Sequence, residues 1–179
     1  MIKVNLHLVQ AIAQQKKHNF FRYYIAMILM DESRAGCVDM QTYIDTVSEK
    51  FRVTPKTVIN TLQQLHDANW ITVAPKQSNF IYYKSLNKIS DMLQPSEQSF
   101  VAVWIDWNNL YAIKDIRAFC HATFLANKRG EKIISREVLA NISNTCRQSQ
   151  IKYEKHLGVK KTPNFATLGR YENKSDFYD

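Results

Sequence analysis

The sequence predicts a mainly α-helical protein with small β-sheets, divided into two domains. Apolar residues recur at helical spacing in several segments, and short β-branched and aromatic runs follow some of them. The polar segment LQPSEQS, at residues 93–99, separates the two halves of the 179-residue chain. We predict two winged helix-turn-helix domains at 1–93 and 100–171, with small β wings, a linker at 94–99 and an acidic tail at 172–179.

The first half is predicted to contain a strongly apolar helix, FFRYYIAMILM, at residues 20–30. A helix of this kind fills a core between its neighbours, and a dimer interface is the alternative. Gly36 and Asp39 then mark a loop and a candidate N-cap. The helix that follows is predicted at residues 40–51, with apolar residues at helical spacing.

The segment FRVTPKTVINTLQQLHDANWITV carries the clearest structural signal. Thr54 is a candidate N-cap, and Pro55 occupies the first helical position, where its missing N–H costs nothing. Strands are predicted at 70–73 and 80–84, joined by a turn at 75–79. This order of helix, helix and hairpin is that of a winged helix-turn-helix.

Polar side chains fill the second helix of this motif and its hairpin. We predict that five of them contact DNA: Lys56, Thr57, Asn60, Gln64 and Lys76. The helix itself has one Lys and no Arg, so we expect its electrostatic attraction to phosphate to be modest. The alternative is a winged helix that serves only dimerisation or protein contact.

The second half is predicted to begin with a short strand at 100–105 and a long helix at 107–127. Cys120 lies beside His121 in this helix, but no second Cys or His stands at ligand spacing, which favours a packed thiol over a metal site. The chain has four glycines and no phosphate-cradling loop, and its acidic residues are scattered. We therefore predict no metal, no cofactor and no catalysis.

A second helix-turn-helix pattern occupies the segment IISREVLANISNTCRQSQIKYEKHLGV. Ser135 is a candidate N-cap for a short helix at 136–142 with one apolar face. Asn144 and Thr145 are predicted to end this helix and to form the turn before the next one. The next helix, at 147–157, is too polar to be buried all round, which suits a helix inserted in a major groove.

We predict two kinds of DNA contact from this region. Side chains along the second helix are assigned to base edges: Arg147, Gln148, Gln150 and Ile151, with Ser149 and Lys152 nearby. Basic residues around it are assigned to phosphates: Arg136, Lys155, Lys160 and Lys161. The last two begin a basic turn at residues 160–170 that is a candidate wing.

The same region resembles a helix-turn-helix pattern of proteins from phages, plasmids and other mobile elements. The resemblance covers roughly residues 117–164 and is carried by Ile134-Ser135-Arg136-Glu137-Val138-Leu139, Arg147-Gln148-Ser149-Gln150, Tyr153-Glu154 and Gly158-Val159. Ser149 stands where that pattern usually has threonine, Ile151 replaces a basic residue, and Asn164 matches a turn asparagine. The layout also resembles plasmid replication initiators, which carry two winged-helix domains.

Charge agrees with a polyanionic partner. The chain has 24 basic and 16 acidic residues, a net charge of +8. Between residues 128 and 170, ten Lys or Arg stand against three Glu, a local net charge of +7. Basic surfaces of this kind favour nucleic acid.

These observations predict a sequence-specific double-stranded DNA-binding protein, a transcriptional regulator or replication-origin binder of a mobile element. A homodimer through the first half would imply a palindromic site. The competing prediction is a protein–protein adaptor whose first domain binds a partner and whose basic second half docks on nucleic acid. RNA binding is a third possibility, without a run of exposed aromatic residues on a sheet to support it.

The sequence also indicates a soluble, cytoplasmic protein. Its three cysteines are widely separated, which implies no disulfide framework. The N-terminus lacks the pattern of a signal peptide, and the longest apolar stretch, residues 23–30, falls short of the roughly 20 residues that a membrane span needs.

Overall fold

The computed structural model describes residues 1–73, 79–94, 102–112 and 136–156. Over these ranges the protein is mainly helical with two small antiparallel sheets, which confirms that part of the predicted fold class. The helices are α1 (Leu6–Gln14), α2 (His18–Met30), α3 (Met40–Phe51), α4 (Pro55–Asp67), α5 (Leu86–Leu93), α6 (Trp107–Ala112), α7 (Arg136–Ser143) and α8 (Arg147–His156). The strands are β1 (Ile2–Asn5), β2 (Cys37–Asp39), β3 (Ile71–Val73), β4 (Phe80–Tyr83) and β5 (Ala102–Ile105).

Helices α3 and α4 begin at the capping signals that predicted them. The Asp39 carboxylate accepts a hydrogen bond from the Thr42 N–H at 2.8 Å. The Thr54 hydroxyl accepts one from the Thr57 N–H at 3.3 Å, and Pro55 stands in the first turn. Each cap satisfies a backbone donor that a helix leaves without an internal partner. The predicted bounds of the helix at 40–51 are confirmed.

The larger sheet has the strand order β2-β4-β3, with both pairs antiparallel. The two predicted strands of the hairpin are confirmed as β3 and β4, each slightly shorter than expected. Strand β2 was not predicted, because Gly36 and Asp39 indicated only a loop and a cap. Gly36 does form the turn before β2, with a φ of +78° that favours glycine. The turn residues 75–78 lie outside the described ranges.

Helix α2 lies in the core of the chain, as predicted for residues 20–30. Its Phe21, Tyr24, Ile25 and Met27 side chains are fully buried. Trp70, at the end of the following helix pair, packs edge-on against Tyr24, with ring centroids 5.4 Å apart. The residues proposed as an alternative dimer interface are therefore largely covered by the chain itself.

The N-terminal segment and the second half of the chain share structure across the predicted linker. Strand β1 pairs antiparallel with β5, in the register Ile2 with Ile105. Ile105 and Leu110 belong to the same buried cluster as the side chains of α1 and α2. The Asn144 side-chain amide, between α7 and α8, donates to the Gln14 carbonyl at 2.8 Å. A sheet and a buried cluster therefore join residues on both sides of the predicted linker at 94–99. The division into two domains at this linker stays a prediction.

Several predictions fall on residues outside the described ranges. These include most of the linker, the long helix beyond residue 112, the Cys120–His121 pair, the Ser135 cap, the basic turn at 160–170 and the acidic tail. Within the part of the chain that the structure describes, no helix is both long and apolar enough to cross a membrane. Those same residues also contain no group of three or more His, Cys, Asp or Glu that is arranged to hold a metal ion.

Candidate nucleic-acid interface

A buried ion pair holds helix α8 against helix α7. The Arg136 guanidinium donates to both carboxylate oxygens of Glu154, at 3.0 and 2.7 Å. The Arg136 side chain is 18% exposed and that of Glu154 only 3%. Two parallel bonds of this kind fix the distance and the orientation of the two helices. Arg136 is therefore engaged inside the protein, and its role as a phosphate contact stays a prediction.

Gln150 completes this polar contact between α7 and α8. Its side-chain amide donates to the backbone carbonyls of Arg136 and Thr145, each at 3.0 Å. The Gln150 side-chain oxygen lies 3.4 Å from a guanidinium nitrogen of Arg136, which donates to it. Because the residue is fully buried, it has no free amide group to offer a base. The predicted contact of Gln150 with base edges assumed an exposed side chain, whereas the structure buries this side chain in the protein interior.

The opposite side of α8 is exposed and carries five residues that we call the α8 face: Arg147, Gln148, Ile151, Lys152 and Lys155. All five were predicted as DNA contacts. Positions 147, 151 and 155 are successive i, i+4 neighbours, so the set forms one stripe along the helix. Glu154 is the only acidic residue of α8, and it points inward to Arg136. The exposed stripe is therefore cationic and hydrogen-bonding, with no carboxylate of its own helix to oppose an anion.

The start of α8 is organised by Cys146 and Ser149. The Cys146 sulfur and the Ser149 hydroxyl oxygen are 3.3 Å apart. The Ser149 hydroxyl, together with its backbone N–H, lowers the pKa of the exposed Cys146 thiol. Ser149 is half-buried and bonded at this cap, which places it at the edge of the α8 face.

Helix α4 presents a comparable exposed surface, which we call the α4 face: Lys56, Thr57, Ile59, Asn60, Gln63 and Gln64. Four of its residues were predicted as DNA contacts, whereas Ile59 and Gln63 were not. Ile59 lies off the buried side of the helix and is 51% exposed. Its position beside Val58, the first residue of that buried side, is the sequence signal that could have identified it as outward-facing.

The turn and the second helix of the two pairs correspond at an offset of 92 residues. Each turn contains a non-glycine residue with a left-handed backbone, Arg52 (φ 54°) and Asn144 (φ 49°), and 144 − 52 = 92. Each second helix begins three residues after it, at Pro55 and Arg147. Buried positions also coincide: those of α4 (Val58, Thr61, Leu62) correspond to those of α8 (Gln150, Tyr153, Glu154). The α4 and α8 faces are therefore equivalent surfaces of two similar helix pairs.

No protein-family model, curated protein or solved structure matches the chain. Of the other predicted contacts, Lys76, Lys160 and Lys161 lie outside the described residues.

The two faces differ mainly in charge. The α8 face has three cations, Arg147, Lys152 and Lys155, whereas the α4 face has Lys56 alone. Asn60, Gln63 and Gln64 give the α4 face hydrogen-bonding groups of the type that pair with base edges. Gln63 is also bonded to the Asp67 carboxylate at 2.8 Å. We expect the α8 face to provide more of the electrostatic attraction to a polyanion.

Proposed function

We propose that the protein binds double-stranded DNA in a sequence-specific manner through two helix-turn-helix units. The observation that carries the proposal is the α8 face, a cationic and amide-bearing stripe whose helix has turned its single carboxylate, Glu154, into the protein. An α-helix fits the major groove, where Arg and Gln side chains pair with base edges and Lys side chains neutralise phosphates. In this proposal Arg147 and Gln148 contact bases, and Lys152 and Lys155 contact the backbone.

The arrangement around α4 supports a winged helix-turn-helix in the first half. The elements run α2, β2, α3, α4, β3, β4, and the sheet order is β2-β4-β3. In this arrangement the second helix of the pair is exposed beside a hairpin, as a reading helix is beside its wing. The matching turn and buried positions of the α3–α4 and α7–α8 pairs support the same assignment for α8.

The proposed biological role is that of a transcriptional regulator or replication-origin binder of a mobile element. It follows from the resemblance of the α7–α8 segment to helix-turn-helix proteins of phages and plasmids. The adaptor alternative relied on an exposed apolar surface at residues 20–30, and the burial of Phe21, Ile25 and Met27 removes most of that surface. DNA binding is therefore the function that the described surfaces support best.

The test is selection of duplexes from a library with roughly 30 random base pairs, enough for two half-sites one helical turn apart. Fluorescence anisotropy then measures the affinity of the full chain for the selected duplex and for a scrambled duplex of equal composition. We expect a preference of at least about 1,000-fold for the selected duplex, in the range of specific DNA-binding proteins.

Salt dependence separates base contacts from phosphate contacts in the same titration. Two or three phosphate contacts should lower affinity about 10- to 40-fold between about 50 and 200 mM salt. The preference for the selected duplex should persist at the higher concentration, because base contacts carry it. The proposal would be contradicted if the selection enriched no sequence. It would also be contradicted if the chain bound both duplexes with equal affinity and lost that binding at the higher salt concentration.

A further inference from the structure

The two helix faces each place one isoleucine in solvent at the same position. Ile59 is the fifth residue of α4, Ile151 is the fifth residue of α8, and the two are 51% and 47% exposed. Their separation of 151 − 59 = 92 residues is the offset that relates the two helix pairs. Two different helices therefore carry the same apolar residue at corresponding exposed positions.

The local structure gives these isoleucines no role inside the protein. Each of them lies in the exposed stripe while the adjacent residue, Val58 or Gln150, fills the buried position. Isoleucine is also no better than the neighbouring Lys, Gln or Arg as a helix former, because its branched side chain is restricted at χ1. Neither packing nor helix propensity explains an exposed isoleucine at this position in both helices.

The surroundings of the two side chains are polar and suited to a groove. Ile151 is flanked by Gln148, Lys152 and Lys155, and Ile59 by Lys56, Asn60 and Gln63, all of them exposed. The charge of the α8 face matches a polyanion, which identifies DNA as the occupant rather than an apolar protein surface. In the major groove the apolar group that distinguishes one base from the others is the C5-methyl of thymine.

We propose that Ile59 and Ile151 each contact the methyl group of one thymine, so that the binding site contains a required thymine at equivalent positions of two half-sites. This inference rests on the proposed function and adds a specific chemical determinant to it. The surrounding amide and cationic side chains set the register on the groove, and each isoleucine then discriminates one base by burying a methyl group.

The test replaces each thymine of the selected duplex by uracil in turn, which removes the methyl group and leaves every hydrogen-bonding group in place. The wild-type chain should lose about fourfold in affinity at one thymine in each half-site, the effect of leaving one methyl group unburied. Ile151→Ala should abolish the uracil effect at one of these thymines only. Ile59→Ala should abolish it at the other.

Met92→Ala is the matched control, because Met92 is an exposed apolar residue of α5, outside both faces. It should reproduce the wild-type uracil profile. The wild-type scan requires no variant and is decisive alone: tight, selective binding with no loss at any uracil would overturn the inference and leave the proposed function standing. A uracil effect that survives in both isoleucine variants would also overturn it. Failure to select any duplex would overturn both the proposed function and this inference.

Discussion

Asp31 shows how a single side chain holds the end of α2 to the larger sheet. Its carboxylate accepts hydrogen bonds from the Ser33 hydroxyl and from the Ala35 and Gly36 N–H groups, at 2.9, 3.0 and 2.6 Å. A fourth bond, of 2.7 Å, comes from the Tyr83 hydroxyl in β4. Four donors around one carboxylate fix the turn between α2 and β2.

These bonds make the charged form of Asp31 the stable one in the folded protein. Burial alone raises the pKa of the carboxyl, but the bonds from Tyr83, Ser33 and the two backbone N–H groups outweigh it and lower the pKa to about 2, from 3.8. A carboxyl whose pKa is lower in the folded state stabilises the fold above the unfolded pKa. That contribution is lost as pH falls from about 4 towards 2.

Asp31→Asn should lower the free energy of unfolding at neutral pH by about 2 kcal/mol, the effect of weakening several bonds to a charged group. The difference from wild type should shrink as the pH falls from about 4 to 2, because wild type then loses the same interaction. Urea unfolding followed by circular dichroism across this pH range measures both effects.

Two tyrosines of β4 provide the matched pair for this measurement. Tyr83→Phe removes one of the four bonds and should give a smaller loss with the same pH dependence, whereas Tyr82→Phe changes an exposed residue and should behave as wild type. A stability difference for Asp31→Asn that stayed constant down to pH 2 would show that the charge of Asp31 is not what stabilises the turn.

At the scale of elements, the two helix pairs reach the same geometry by different chemistry. In the α3–α4 pair, Val58 and Leu62 are buried and apolar. At the corresponding positions of α8 stand Gln150 and Glu154. The Arg136 guanidinium donates to both side chains, and Gln150 donates to the backbone carbonyls of Arg136, at the start of α7, and Thr145, in the turn. A buried ion pair whose polar groups are all hydrogen-bonded is tolerated in the protein interior. Removal of one partner leaves the other group buried and unpaired.

Gln150→Ala should therefore destabilise the α7–α8 pair by about 1 to 3 kcal/mol, because the carbonyls of Arg136 and Thr145 lose a donor. Its effect on DNA binding should be the same on every duplex, since the residue acts through the position of α8. Gln148→Ala, on the exposed face of the same helix, should leave stability unchanged and relax the sequence preference. Thermal unfolding and anisotropy on two duplexes measure the two variants. Unchanged stability in Gln150→Ala, with altered preference, would restore Gln150 as a base contact.

Local signals explain why the helices could be predicted from the sequence. Asp39 and Thr54–Pro55 act within one turn of their own helix, so their pattern is readable without the rest of the fold. Strand β2 could not be predicted in this way, because its three residues form a strand only by pairing with β4, which lies more than forty positions away in the sequence. The polar character of Gln150 also led to the prediction of an exposed position on α8. That position was wrong, since the burial of Gln150 depends on a partner on another helix.

At the scale of the whole molecule, the second helix pair is attached to the first half of the chain. Helix α7 contacts α1, and Asn144 bonds the carbonyl at the end of α1. Helix α1 also contacts α5, which follows β4 of the larger sheet. The two faces therefore belong to one connected structure, and in the proposed function both α4 and α8 serve as reading helices of a single chain. We expect one chain to contact two groups of base pairs in one duplex.

Hydroxyl-radical footprinting on the selected duplex, with the wild-type chain and one variant of each face, measures whether one chain contacts two groups of base pairs. Wild type should protect two separate groups of base pairs. Lys56→Ala combined with Asn60→Ala, in the α4 face, should weaken one group, and Arg147→Ala combined with Lys152→Ala, in the α8 face, should weaken the other. Protection of a single group that responds to neither variant would contradict the account, because neither helix would then lie on the DNA.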